Sequence, residues 1–354
     1  MDSRIVRNQQ FMHDLFDGRF RGHAIWMSPE IPQQPGPGDV SCSELPVSKW
    51  VDWFCRVYEA RVCYSDEIED DAVPYVSIAT GTGVFASCFG SELHICPDNI
   101  AAARPAVTTA EDADRIPQPT LDAAPIRRIF QAAEQIRRRL GDDVPIGIPD
   151  IQSPFDIAAL IWNKEDMFVA MIEEPEAVHR LASRCHHFLK RFLHAFIRDC
   201  TPVNLCHCPY AWAPPELGAW LSEDEAGSIS PQQFRDFCLP ILTNLSHMFG
   251  GLFMHCCAKA DYQYSNFRAI PNLRGLNRVF QAPGPKPAID AFSGQTVLIQ
   301  AWMSPPDIER MLALCKPNTR LLINMPAQPL DDARRTFEQL REHCPRKSPG
   351  LARI

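Results

Sequence analysis

The stretch Gly251–Asp261 reads GLFMHCCAKAD, an apolar run that ends in His255, Cys256 and Cys257. On a strand, residues two apart point to the same face, so His255 and Cys257 can reach one ion. Imidazole and thiolate together suit zinc. A catalytic zinc needs a third protein ligand and an open position, and Asp224, Glu223, Cys208, His207 and Cys256 are the candidates in the chain. The competing reading is a hydrogen-bonded histidine beside a packed thiol. Asp224 lies in SEDEAGSIS, just ahead of a helical pattern. A carboxylate there could bind metal, handle a proton, or form a solvated acidic turn. His207 and Cys208, in LCHCPYAW, suggest a nucleophilic dyad. Adjacent strand residues face opposite ways, however, so only one of the two can look into a shared site.

Something must carry these groups to one place. Eight short, continuous apolar runs read as buried parallel strands: Ala24–Met27, Tyr75–Ala79, Val144–Ile148, Val203–Cys206, Leu252–His255, Gly275–Val279, Val297–Ala301 and Leu321–Asn324. Helical patterns lie between most of them, over Pro125–Leu140, Ala177–Arg198, Ser230–Phe249, Ser304–Leu314 and Leu330–His343. Two of these open on Ser-Pro, a serine cap followed by proline at the first helical position. Ile31–Lys49 reads as a loop, and His94–Ala124 as a long irregular insertion after the second strand. Strand–helix alternation over 354 residues predicts one (β/α)8 TIM barrel domain spanning 1–354, with an N-terminal extension and that insertion.

In such a barrel the active site lies at the C-terminal ends of the strands. The residues delivered there include Trp26, Met27, Thr80, Gln152, His207, Asp224, His255, Cys257, Asn277, Trp302 and Asn324. Asp224, His207 and Asn277 are the catalytic candidates, and His255, Cys257 and Asp224 the metal candidates. Trp26, Met27, Thr80, Gln152, Trp302 and Asn324 are placed to bind substrate. Trp26, Trp212 and Trp302 could wall a flat apolar ligand or pack the barrel. Thr80–Gly83 (TGTG) lacks the lysine and spacing of a phosphate loop, so glycine there shapes a turn.

Composition narrows the classes. A formal net charge of −8 argues against a nucleic-acid partner. No run approaches the apolar length of a membrane span and the N-terminus has no signal-peptide core, so a cytoplasmic protein is expected. The 14 cysteines show no C-x-x-C pair, and most sit among apolar neighbours, where a thiol packs as a small hydrophobe. The oligomeric state is not legible.

Four segments resemble the uroporphyrinogen decarboxylase superfamily, which includes corrinoid-dependent methyltransferases that methylate coenzyme M. They are VPIGIPDIQSPFDIAALI (Val144–Ile161), EDMFVAMIEEPEAVH (Glu165–His179), EDEAGSISPQQFRDFCLP (Glu223–Pro240) and GGLFMHCC (Gly250–Cys257). The resemblance implies a (β/α)8 barrel. It departs from true decarboxylases after the first strand. Their arginine-rich segment, whose cations hold substrate carboxylates, is replaced here by WMSPEIP. Leu160 stands at the substrate tyrosine, Thr80–Gly81 at the aspartate, and NMPAQ at the late histidine motif. In the methyltransferase branch, zinc sits on His-x-Cys and a later cysteine, and it activates a thiol that attacks a methyl group carried by a corrinoid protein. His255 and Cys257 match the pair, but LLINMPAQP lacks the later cysteine, which leaves Asp224 or a nearby cysteine as substitute. The reading is therefore zinc-assisted methyl or alkyl transfer to a thiol or similar small-molecule acceptor. One alternative is a metal-free decarboxylase using Lys259, Arg278 and Arg104. Another is a non-catalytic barrel that binds a ligand or a corrinoid protein.

Overall fold

A computed structural model describes residues 3–95 and 101–344. Among these residues are eleven strands: β1 His23–Ser28, β2 Val76–Ser77, β3 Leu93–His94, β4 Ala102–Ala103, β5 Ile146–Gly147, β6 Val203–Asn204, β7 Ala219–Ser222, β8 Leu252–Cys256, β9 Leu273–Arg278, β10 Val297–Gln300 and β11 Leu321–Ala327. Nine run parallel as the wall of a (β/α)8 barrel. Six form one sheet in the order β1-β11-β10-β9-β8-β7, and three form a second, β2-β5-β6. The bridge Gln152–Ser222 ties the two sheets. Between β1 and the β2 side, carboxylates do the joining: Asp71 accepts from the Ile25 amide (2.9 Å) and Asp70 from the Met27 amide (2.8 Å).

The apolar runs became strands because both of their faces are covered. Inward residues Ala24, Trp26, Trp220, Phe253, Val297, Ile299 and Leu322 form one core, closed from below by Met12, Leu15 and Phe16 of the helix Ser3–Phe16. Outward residues such as Ile25, Met254, Leu276, Leu298 and Ile323 pack against the helical layer. Period-two alternation thus sends His255 inward and Cys256 into the outer core.

Three features differ from the sequence expectation. The fourth barrel position is split. Val203–Asn204 pairs only with β5, and Ala219–Ser222, which lies outside the eight apolar runs, pairs with β8. Prolines 214 and 215 and an acidic run flank its four residues, which masks the strand pattern. The excursion between β6 and β7 turns into the barrel. Asn204 organises it, donating to the Ala211 carbonyl (2.8 Å) and accepting from the Ala213 amide (3.1 Å). A 22-residue helix, Val47–Ile68, was also missed. Its many β-branched and aromatic residues have weak helix propensity, but Trp50, Val51, Phe54 and Val57 bury one face. Within the long insertion, β3 and β4 form a short antiparallel pair where irregular chain was expected.

The helix 231–249 starts as anticipated. Ser230 accepts from the Gln233 amide, and the Gln233 side chain accepts from the Ser230 amide. It then widens to a π turn over Phe234–Cys238. Pro240 follows at once and cannot donate to a carbonyl one turn back, which breaks the α-helical ladder. No helix among the described residues is long and apolar enough to cross a membrane.

Candidate metal centre

β7, β8, β9 and β10 align Ser222, His255, Asn277 and Ile299 across one level of the wall. This register fixes the histidine. Asn277 Nδ2 donates to the Ile299 carbonyl (2.7 Å), so its Oδ1 must be the atom facing His255 Nδ1 at 2.5 Å. Nδ1 therefore carries the proton and donates it. Nε2 keeps its lone pair, the state in which a histidine binds metal. Nε2 lies 3.8 Å from Asp224 Oδ1.

Asp224 is delivered by the loop after β7. Its Oδ1 accepts from the Cys257 amide (2.6 Å), which brings the carboxylate beside the thiol. Below it, Asp156 accepts from the amides of Asp224 (2.6 Å) and Glu225 (3.1 Å) and anchors the acidic loop. Burial pushes the carboxyls of Asp156 and Glu223 up, and the neighbouring acids add to it. On the other side, the buried Arg278 donates to the carbonyls of Cys256 (2.5 Å) and Ala258 (2.8 Å) and holds the turn that carries Cys257.

One donor atom from each of Asp224, His255 and Cys257 lies within 4.8 Å of the others. Oxygen, nitrogen and sulfur in that span are a donor set that zinc accepts. The facing lone pairs of Nε2 and Oδ1 call for a cation or a proton between them. Without one, burial and then the Asp224 charge push the Cys257 thiol up to about 12, so it stays protonated; a bound cation reverses that balance. The residues present fit a three-ligand site with an open position.

The remaining sequence candidates surround this triad. Asn277 is the outer partner of His255. Trp302, with φ 63° and 60% of its surface exposed, stands edge-on to the His255 ring with centroids 6.5 Å apart. Trp26 faces inward, 5.5 Å from the Tyr210 ring. Met27 alternates outward into the helical layer. Thr80 and Gln152 both serve Asp150: the Thr80 hydroxyl accepts from the Asp150 amide (2.9 Å), and Gln152 Nε2 donates to Asp150 Oδ1 (2.6 Å). Asn324 is locked between the Ser28 hydroxyl (2.8 Å) and the Tyr210 carbonyl.

The excursion after β6 carries His207 and Cys208 inside the barrel. The His207 side chain is enclosed, with Nδ1 3.5 Å from Asp150 Oδ1. Burial, reinforced by His255, pushes it down to about 3, so it is neutral. Cys208 Sγ lies 3.6 Å from His255 Nδ1, on the ring edge away from Asp224. Sequence reasoning missed Asp156, whose helix-start position in QSPFD looks like an ordinary first-turn acid. It also missed Arg61, whose guanidinium stacks 3.2 Å from the centre of the Tyr210 ring.

A family model described as uroporphyrinogen decarboxylase matches residues 75–271, more than half of the chain. No curated protein matches. Among solved structures, the chain is similar to a methyltransferase from Methanosarcina mazei, with TM-score 0.67, 12% identity, and coverage of 94% of this chain and 98% of that one. It is also similar to a B12-independent methionine synthase from Shewanella sp. W3-18-1 in complex with selenomethionine, with TM-score 0.51, 9% identity, and coverage of 91% and 98%. At these identities the likeness concerns the fold.

Proposed function

The chain belongs to the uroporphyrinogen decarboxylase family, and on that premise we propose that it is a cytoplasmic enzyme for methyl or alkyl transfer to a thiol or similar small-molecule acceptor. In this reading Asp224, His255 and Cys257 hold zinc, and a corrinoid protein delivers the methyl group. The observation that carries it is the convergence of three unlike donors, with the histidine tautomer set by Asn277. Zinc there would supply Lewis acidity, lowering the pKa of an acceptor thiol.

The chain's own residues do the rest. Asn277 keeps the proton on Nδ1 and so presents Nε2. Asp156 and Arg278 hold the two turns that carry Asp224 and Cys257. Trp302 shields the mouth from water, and Trp26, Gln152 and Asn324 shape the acceptor side. Both similar structures are named as enzymes that move or assemble methyl-bearing groups, which favours transfer.

Metal-free decarboxylation asks instead for cations facing the cup. Arg278 is engaged with two carbonyls, Arg104 lies 3.5 Å from Glu92 in the insertion, and Lys259 is on the surface.

Metal analysis of protein purified without added zinc tests the reading. It expects close to one equivalent, lost in His255→Ala; less than about 0.1 equivalent, unchanged by that substitution, would sink it. Consumption of a methyl-corrinoid in the presence of 2-mercaptoethanol tests the donor.

A further inference from the structure

We propose that Asp150 is the catalytic base that takes the proton from the acceptor thiol, an assignment that rests on the metal-centred reading above. A thiol that becomes a nucleophile must lose its proton to some group in the cup. The acids near the triad can be sorted by what already holds them. Asp224 belongs to the donor set and accepts from the Cys257 amide. Asp156 and Glu223 are sealed beneath the loop, 3% and 0% exposed. Asp39 is occupied by the Ser41 amide and hydroxyl and by the Gly81 amide. His207 is neutral and enclosed.

Asp150 differs from all of these. It lies three residues beyond β5, its side chain keeps 21% of its surface open, and it is aimed by neighbours rather than neutralised by them. Gln152 donates to Oδ1, the Thr80 hydroxyl fixes the Asp150 backbone, and His207 Nδ1 stands 3.5 Å from the same Oδ1. The charged and titratable groups facing it are His207, Cys208, Asp224 and Asp39. Burial, with Asp224 and Asp39 adding repulsion, pushes its carboxyl up to about 7 in the metal-free protein, and a cation on Asp224 relieves the Asp224 part of that. In the step proposed, the S–H bond of the acceptor breaks, the proton forms an O–H bond with the Asp150 carboxylate, and the electron pair stays on sulfur. Water recovers the proton after transfer. His207 is a positioning residue for Asp150.

The test uses cobalt-loaded full-length protein and 2-mercaptoethanol, following the cobalt–sulfur charge-transfer band by stopped flow. In the unsubstituted protein the rate of band formation should rise with pH through an inflection at or somewhat below about 7, since the cobalt offsets the Asp224 charge. Asp150→Asn should slow it about 100-fold and erase the inflection, with cobalt affinity unchanged. Asp150→Glu should recover part of the rate. An Asp150→Asn protein with the original rate and inflection overturns the assignment alone. Should that variant not fold, a flat pH profile of the unsubstituted protein between about 6 and 8 overturns it equally. Failure of the unsubstituted protein to take up cobalt, or to develop the band, overturns the metal-centred reading and the assignment with it.

Discussion

The two sheets of the barrel hold their functional groups by different means. From β7 to β11 the ladders pair three to five residues each, with one register shift at Leu252/Phe253, and His255 and Asn277 hang directly from them. Across the barrel, β2, β5 and β6 are two residues each, and side chains supply the order that ladders supply opposite. Asn204 folds the inward excursion, Tyr75 stacks on Tyr210 with centroids 4.3 Å apart, and Asp70 and Asp71 satisfy the edge of β1. Of the three proposed metal donors, His255 depends on the first kind of support, while Asp224 and Cys257 sit in turns held by the side chains of Asp156 and Arg278. Asp150 and His207, the groups suited to proton handling, depend on the second. Backbone pairing fixes a donor atom to within tenths of an ångström, as coordination needs, whereas side-chain support leaves a proton acceptor some freedom.

Substitutions can break this contrast. The largest effect is expected from His255→Ala, which should weaken zinc binding more than about 100-fold, beyond what an outer partner commonly contributes. Competition with a chromophoric chelator measures it. Asn277→Ala keeps every donor but frees the tautomer, and should cost about 10–100-fold by the same assay; an unchanged affinity would mean that the ladder level is irrelevant to the centre. On the side-chain-supported wall, burial raises the Asp70 carboxyl to about 6. The fold thus favours its protonated form. That contribution is complete below the unfolded value of 3.8 and is lost as pH rises through about 6. Asp70→Asn should flatten the stability difference between pH 4 and pH 7 by about 2 kcal/mol, read from urea midpoints. Parallel pH curves would show that the carboxylate seam is not titrating. The smallest effect belongs to Trp302→Gly. It relieves a left-handed backbone angle and should leave stability equal or higher by about 1 kcal/mol, while weakening acceptor binding.

The long-laddered wall was largely legible in the sequence. GLFMHCC announces its own register, and the ends of the continuous apolar runs fall within three residues of those of β8 to β11. The closeness of Asp224 to His255 was readable because an acid in the loop after one strand meets the end of the next in a parallel barrel. The other wall was not legible in the same way. AWLS is too short to show periodicity, and LCHCPYAW reads as a strand end although only Val203–Asn204 pairs. Asp156 and Arg278 act through backbone groups distant in sequence, which no local pattern encodes. Nor does any local pattern show that Thr80 and Gln152, expected to bind substrate, hydrogen-bond Asp150.

The divided fourth position has a consequence for how such a protein can change. Because β6 and β7 are secured to different neighbours, the residues between them are not constrained by a common register. Doubling a loop's length adds only about 0.6 kcal/mol of closure entropy. Residues 205–218 are held instead by side chains, so their length can change only where Asn204, Tyr210 and the buried Cys206 and Trp212 keep their contacts. Cys208 Sγ lies 3.6 Å from His255 Nδ1, so remodelling this segment reaches the candidate centre as well as the wall that carries it.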